Sequence, residues 1–160
     1  MPIYMKYDGV NGEVTAAGHE KWVELGSLQW GVARGINTPT GSGGDRNTTA
    51  PSISEVTVSK PFDGASVGLF QELLTPGDSK KVLIDFVRTD KDKLAVFLSL
   101  ELDQVMVSGY HVSSGGDGQP QETLNLNFTK IIVTETGTDQ TGAGGQPNKA
   151  GYDLAAAKPL

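Results

Sequence analysis

Residues 94–132 constrain the fold more than any other stretch, because apolar and polar residues alternate along two long runs joined by a glycine-rich turn. Leu94, Val96, Leu98, Leu100 and Leu102 stand on alternate positions, the period of a half-buried strand. The run continues over 105–112, breaks at Ser114-Gly115-Gly116-Asp117-Gly118-Gln119-Pro120 and resumes over 123–132. That pattern predicts a hairpin-like return. In the returning run Leu124, Leu126 and Phe128 share one face while Asn125, Asn127 and Thr129 share the other. The second face is polar without being heavily charged, and it suits water or another protein surface.

Upstream, residues 2–10 read as a first strand closed by Asp8-Gly9 and Asn11-Gly12. Trp22-Val23-Glu24-Leu25 alternates, Gly26-Ser27 marks a bulge or bend, and residues 28–34 alternate again. This places Leu28, Trp30 and Val32 toward the core and Gln29, Gly31 and Ala33 on the opposite face. Residues 35–51 turn to Gly, Ser, Thr, Asn and Pro, a composition that predicts a long loop without regular structure. A loop of that length in a compact domain is usually functional or disordered. Ser52 to Ser59 form a third strand after a one-residue slip between Ile53 and Val56. The one convincing helix follows, with Asp63 as cap, Leu69, Phe70, Leu73 and Leu74 as a core-packing stripe, and Thr75-Pro76-Gly77-Asp78 as its stop. Val82, Ile84 and Phe86 then alternate, and residues 89–93 turn the chain into the central run. The expected order is β-β-β-α-β-β-β-β.

Beyond Thr136 the chain is rich in Gly, Thr and Gln to Pro147, a segment that costs much backbone entropy to fix and buries little. It is expected as a flexible arm, with Gly151-Tyr152-Asp153-Leu154 as a docking segment and residues 155–160 frayed. The domain division is therefore 1–136, with its long loop at 35–50, and 137–160. A chain of 160 residues is one domain's worth. With 21 glycines and 37% hydrophobic residues it suits short strands and turns, so the class is mainly β.

The same composition narrows function. A net charge of −6 opposes binding to nucleic acid or anionic lipid. The absence of Cys removes disulfides, thiolate metal sites and cysteine nucleophiles. No apolar run reaches the length of a membrane span, and the N-terminus lacks the apolar region of a secretory signal. His19 and His111 stand in no paired-ligand pattern, which favours structural or surface roles. No Gly-x-Ser-x-Gly elbow or dinucleotide-binding loop is present. Asp90-Lys91-Asp92 lacks the distal Glu of a calcium loop. Glu101, Asp103 and Asp85 are the carboxylates an enzyme would need, and Glu101 with Asp103 reads more simply as an acidic exposed face. The expectation is no catalytic residue, no metal and no cofactor.

Several segments carry a resemblance. They are Trp22-Val23-Glu24-Leu25-Gly26-Ser27 with Trp30-Gly31-Val32-Ala33-Arg34-Gly35, Ser52 to Lys60, Lys81 to Phe86 with Thr89-Asp90, Ser108-Gly109-Tyr110-His111-Val112-Ser113-Ser114-Gly115-Gly116-Asp117-Gly118, Leu124 to Ile131, and Gly151-Tyr152-Asp153-Leu154. Together and in this order the chain resembles the haemolysin-coregulated protein (Hcp) family of the bacterial type VI secretion system. The resemblance implies a small two-sheet β-barrel with one flanking α-helix, assembling head to tail into a hexameric ring with a wide channel. Rings of the family stack into a tube that a contractile sheath drives out of the cell behind a spike (tip) protein, and they shelter small effector proteins in the lumen. It further implies residence in the cytoplasm before firing, then release outside the cell or into a target cell without a signal peptide.

Carried over residue by residue, the family's channel-facing position falls on Gln29. Its extended loop falls on residues 35–50, with Gly35, Asn37, Thr38, Gly41, Gly43, Asp45 and Arg46 as ring-stacking candidates. The competing reading is a monomeric β-barrel that binds a ligand in an enclosed apolar pocket, which the polar face of Asn125, Asn127 and Thr129 disfavours.

Overall fold

The structure, a computed structural model, describes residues 1–41, 46–138 and 144–160. Its central element is β10 (Lys93–Ser113), whose alternating leucines keep one face apolar for most of its 21 residues. The first half of β10 pairs antiparallel with β9 (Lys80–Asp90) on one side and β12 (Lys130–Thr138) on the other. From Met106 onward it pairs instead with β11 (Gln121–Asn127). The diversion falls where Gln104 takes a φ of 54° and the register against β9 shifts between Leu102 and Val105. One strand therefore serves two sheets.

The first sheet runs β2 (Val23–Leu25), β1 (Ile3–Tyr7), β9, β10, β12, β13 (Gly144–Asp153), β14 (Lys158–Pro159). The second runs β10, β11, β8 (Val56–Pro61), β3 (Ser27–Gln29). Gly26 is the bend predicted between β2 and β3, and it carries the chain from one sheet to the other while its N–H donates to the Ser59 carbonyl at 2.7 Å. The expected small two-sheet β-barrel is mainly β as read, but among the described residues it is not closed. β2 and β3 are consecutive in the chain, yet no pairing joins them among the described residues, because the chain turns at Gly26 to give β2 to β1 and β3 to β8.

Between the sheets lies the core. Met5, Val23, Val56, Val58, Ile84, Leu100, Leu102, Leu124 and Leu126 are fully buried, each contributing about 1.5–3 kcal/mol by leaving water. Leu124, Leu126 and Phe128 face inward as their alternation predicts.

Three other expectations are corrected. The stretch 35–50 is in part regular: β4 (Val32–Ala33) pairs with β7 (Ser52–Ile53), and β5 (Ile36–Asn37) with β6 (Asn47–Thr48). Together they make a projecting hairpin on which Val32 is exposed instead of core-facing. The arm expected to be flexible contributes β13, whose register against β12 runs from Thr138 opposite Gly144 to Lys130 opposite Asp153. Backbone pairing along a full strand outweighs the local preference of its glycines; residues 139–143 lie outside the described residues.

The helix α1 (Ser66–Leu74) has Ala65 at its N-cap with no side-chain cap. Asp63 instead closes the preceding turn, its Oδ1 accepting from the Ala65 N–H at 2.9 Å. Of the expected core stripe Leu69 is buried and Leu73 packs against the core, while Phe70 and Leu74 are exposed.

A buried polar cluster pins the helix to the second sheet. Lys60, fully buried, donates to Asp63 at 2.7 Å, to Ser66 at 3.1 Å, to the Pro61 carbonyl at 2.9 Å and to Glu122. Glu122 also accepts from Ser66 at 2.7 Å and from the Tyr110 hydroxyl. Every acceptor here is matched, which is the condition for burying an ion pair without a large penalty.

Candidate functional site

The face of the second sheet turned away from the core is built from four strands in register. Gln29 lies opposite Thr57, Thr57 opposite Asn125 and Asn125 opposite Gly109. One step along, Ser27, Ser59, Thr123 and His111 form a parallel row. Neither row contains Lys, Arg, Asp or Glu. The apolar residues of the same strands, Leu28, Val58 and Leu124, occupy the opposite face, so period-two alternation separates a dry side from a wet one.

Hydrogen bonds run across the rows. Thr57 donates to the Asn125 side-chain carbonyl at 3.0 Å, and the Ser27 and Ser59 hydroxyls share a 2.5 Å bond. Gly109 is required by this arrangement: a Cβ there would lie 2.7 Å from Asn125 Nδ2. The β-bulge at Ser108 turns that hydroxyl onto the Glu55 carboxylate. A depression of about 420 Å³ lies along the face, lined by Gln29, Ser54, Glu55, Thr57 and Asn125 among others. Such a surface binds through hydrogen bonds and shape, and its contacts are little affected by salt.

Gln29 thus lies on β3, exposed and aligned with Thr57 and Asn125. Alternation had separated Gln29 from the core, and it had separated Asn125 as well. The contributions of Ser27, Thr57, Ser59 and Gly109 were not singled out, although their spacing follows the same period-two signal.

The loop candidates fall on the hairpin. Gly35 donates from its N–H to Thr49 Oγ1 at 2.8 Å, and Asn37 lies in β5 opposite Asn47. Thr38, Gly41 and Arg46 are exposed near its tip, and Gly43 and Asp45 lie outside the described residues. The hairpin base is locked at Gly31 and Ser54, where backbone bonds and the Ser54 hydroxyl, 2.8 Å from the Gly31 N–H, hold the two arms.

The remaining ionisable candidates are structural in their contacts. His19 is buried between Tyr4 and Trp22, its Nε2 2.9 Å from Asp85, whose other oxygen accepts from Ser99 at 2.7 Å. The serine touches the carboxylate and not the imidazole, so the three do not form a nucleophile–base relay. His111 is exposed on the polar face. Glu101 pairs with Lys81 at 2.6 Å, a hydrogen bond that holds the Lys81 ammonium above its ordinary value, and Asp103 lies 3.9 Å from Lys130. Among the described residues no group of three or more His, Cys, Asp or Glu could hold a metal ion. Nor, among the described residues, is any helix long and apolar enough to cross a membrane.

Two antiparallel sheets sharing one strand, with a polar face of few charges on one of them and a hairpin at its edge, define a β-rich protein whose prominent features are surfaces. The family model described as "Type VI secretion system effector, Hcp" matches residues 4–134, and the chain belongs to that family. The family is one of structural secreted proteins and not of enzymes.

Among solved structures, a type six secretion system protein shares 28% identity, with 99% of both chains covered and a TM-score of 0.90. Hcp1 from Salmonella typhimurium is similar at 21% identity, with 99% of this chain and 98% of that one covered and a TM-score of 0.76. A type VI secretion system effector from Yersinia pestis is similar at 20% identity, with 94% and 98% covered and a TM-score of 0.73. No match is found among the curated proteins.

Proposed function

We propose that this chain is the tube subunit of a type VI secretion system. Six copies close head to tail into a ring, rings stack into a tube, and a contractile sheath drives the tube outward with a spike protein at its tip. The polar face of β3, β8, β11 and β10 lines the channel, where small effector proteins are held and sheltered. The observation that carries this reading beyond family membership is the continuous row Gln29–Thr57–Asn125–Gly109, which offers hydrogen bonds and holds no charged residue, with Glu55 as the one carboxylate beside it. Such a lining can hold cargo without the strong salt links that would keep it from leaving. The hairpin carrying Gly35, Asn37, Thr38, Gly41 and Arg46 reaches toward the next ring, and Gly43 and Asp45 of the same segment are further stacking candidates.

Negative-stain imaging of the purified chain tests the assembly. Rings with a central hole are expected, and a field of particles the size of single chains would contradict it.

A further inference from the structure

The helix α1 is apolar on two sides. Leu69 and Leu73 pack inward, while Val67, Phe70 and Leu74, spaced by three and four residues, form a second stripe that is 66%, 42% and 62% exposed. Glu72 is the helix's one charged residue. A helix that is hydrophobic around most of its circumference is normally covered, yet here the outer stripe is open to solvent, with Phe70 packed on Tyr110 at a ring-centroid distance of 5.4 Å.

An apolar slot of about 230 Å³ is open elsewhere on the molecule. Trp30, Val32 and Ile53 at the hairpin base form one wall, Ile131, Val133 and Tyr152 on β12 and β13 form the other, and no charged residue lines it. Ile131 and Val133 belong to the core-facing side of the first sheet, which here extends past the cover of the second. The stripe and the slot lie on different flanks. The helix sits beside the end of β1, with Gly68 against Val10, whereas β9 and β10 separate β1 from the β12–β13 wall of the slot.

We propose that the Val67–Phe70–Leu74 stripe of one copy seats in the Trp30–Ile53–Val133–Tyr152 slot of the next. The occupant is a second copy because the chain carries an uncharged apolar projection and an uncharged apolar receptacle on separate flanks. Each flank thereby matches the other one on a neighbour. A contact of that kind is heterologous, and it satisfies every copy when the rotation closes into a ring. The inference rests on the ring reading above and specifies the surfaces that form it.

The chain has no cysteine, so cross-linking can be directed cleanly. The variant with both Val67→Cys and Ile53→Cys is treated with a short bismaleimide and run on a denaturing gel, beside each single variant. The double variant is expected to give a ladder of covalent multimers reaching six chains, and the singles to remain monomeric. Val67→Glu, an exposed change that leaves the circular dichroism spectrum intact, is expected to move the protein from ring to monomer in light scattering. If the wild-type protein forms rings but the double variant gives no ladder, or if rings persist in Val67→Glu, this contact is overturned and the ring reading stands. A ladder that stops at two chains likewise overturns the contact. A wild-type protein that is monomeric throughout overturns the ring reading and this inference together.

Discussion

Lys60 and Glu122 form an ion pair with both side chains wholly inside the protein, joining β8 to β11 beneath the start of the helix. Removing one member strands the other in a medium that solvates charge poorly. Lys60→Met is therefore expected to cost about 3–5 kcal/mol, whereas Lys60→Met combined with Glu122→Gln recovers most of that loss. The glutamine carbonyl still accepts from one of Ser66 and Tyr110, which bond to different oxygens of Glu122, and its amide N–H donates to the other hydroxyl. Urea midpoints at one fixed protomer concentration measure both variants, and equal losses in the single and double variants would show that the buried charge is not the cause.

Gln29→Arg places a long cation on a face whose rows hold none. Rings are expected to form as before, while small effectors co-expressed with the variant lose protection and fall several-fold in steady-state level. Immunoblots of effector abundance check this, and unaltered levels of every effector would remove Gln29 from the cargo surface.

Deleting residues 36–48 shortens the hairpin while keeping the Gly31–Ser54 lock at its base. A two-stranded ribbon is marginal on its own, so the body of the protein is expected to keep its melting behaviour. Ring stacking is expected to be lost. Electron microscopy of concentrated protein distinguishes single rings from tubes, and tubes of normal length in the deletion would show that stacking is set elsewhere.

Alkaline pH acts through two tyrosines. Burial first, and the nearby Glu72 charge second, push the Tyr7 hydroxyl from its ordinary 10.0 up to about 12. Burial first, then the hydrogen bond and charge of Glu122, raise Tyr110 in the same direction. The folded chain holds these protons more tightly than the unfolded one. The stabilisation is therefore complete below pH 10 and is lost as pH climbs toward 12. Urea midpoints between pH 9 and 12 should fall, and Tyr7→Phe should flatten the slope; a profile unchanged by that substitution would contradict the assignment.

Much of this fold is written in local periodicity. The alternation of Leu124, Leu126 and Phe128 against Asn125 and Asn127 identified both the dry and the wet face of β11, and Gly26-Ser27 announced the bend between sheets. Strand β13 was hidden because its glycines disfavour a strand locally, and only the partner β12, brought alongside by the fold, stabilises one. The hairpin was hidden for the same reason, since Ile36 and Thr48 meet across a stretch of turn-forming residues. Lys60 and Glu122 carry no local signal that sets them apart from exposed charges, and nothing short of their position beneath Ser66 and Tyr110 reveals their burial. Gln29 was separable from the core by alternation, but its alignment with Thr57 and Asn125 depends on the register of three strands distant in sequence.

Size-exclusion chromatography coupled to light scattering tests the central claim most directly. Under the proposed closed head-to-tail ring, this 16.9 kDa chain is predicted to elute with a mass of about six chains. A mass of one chain, holding as the concentration is raised, would contradict the account.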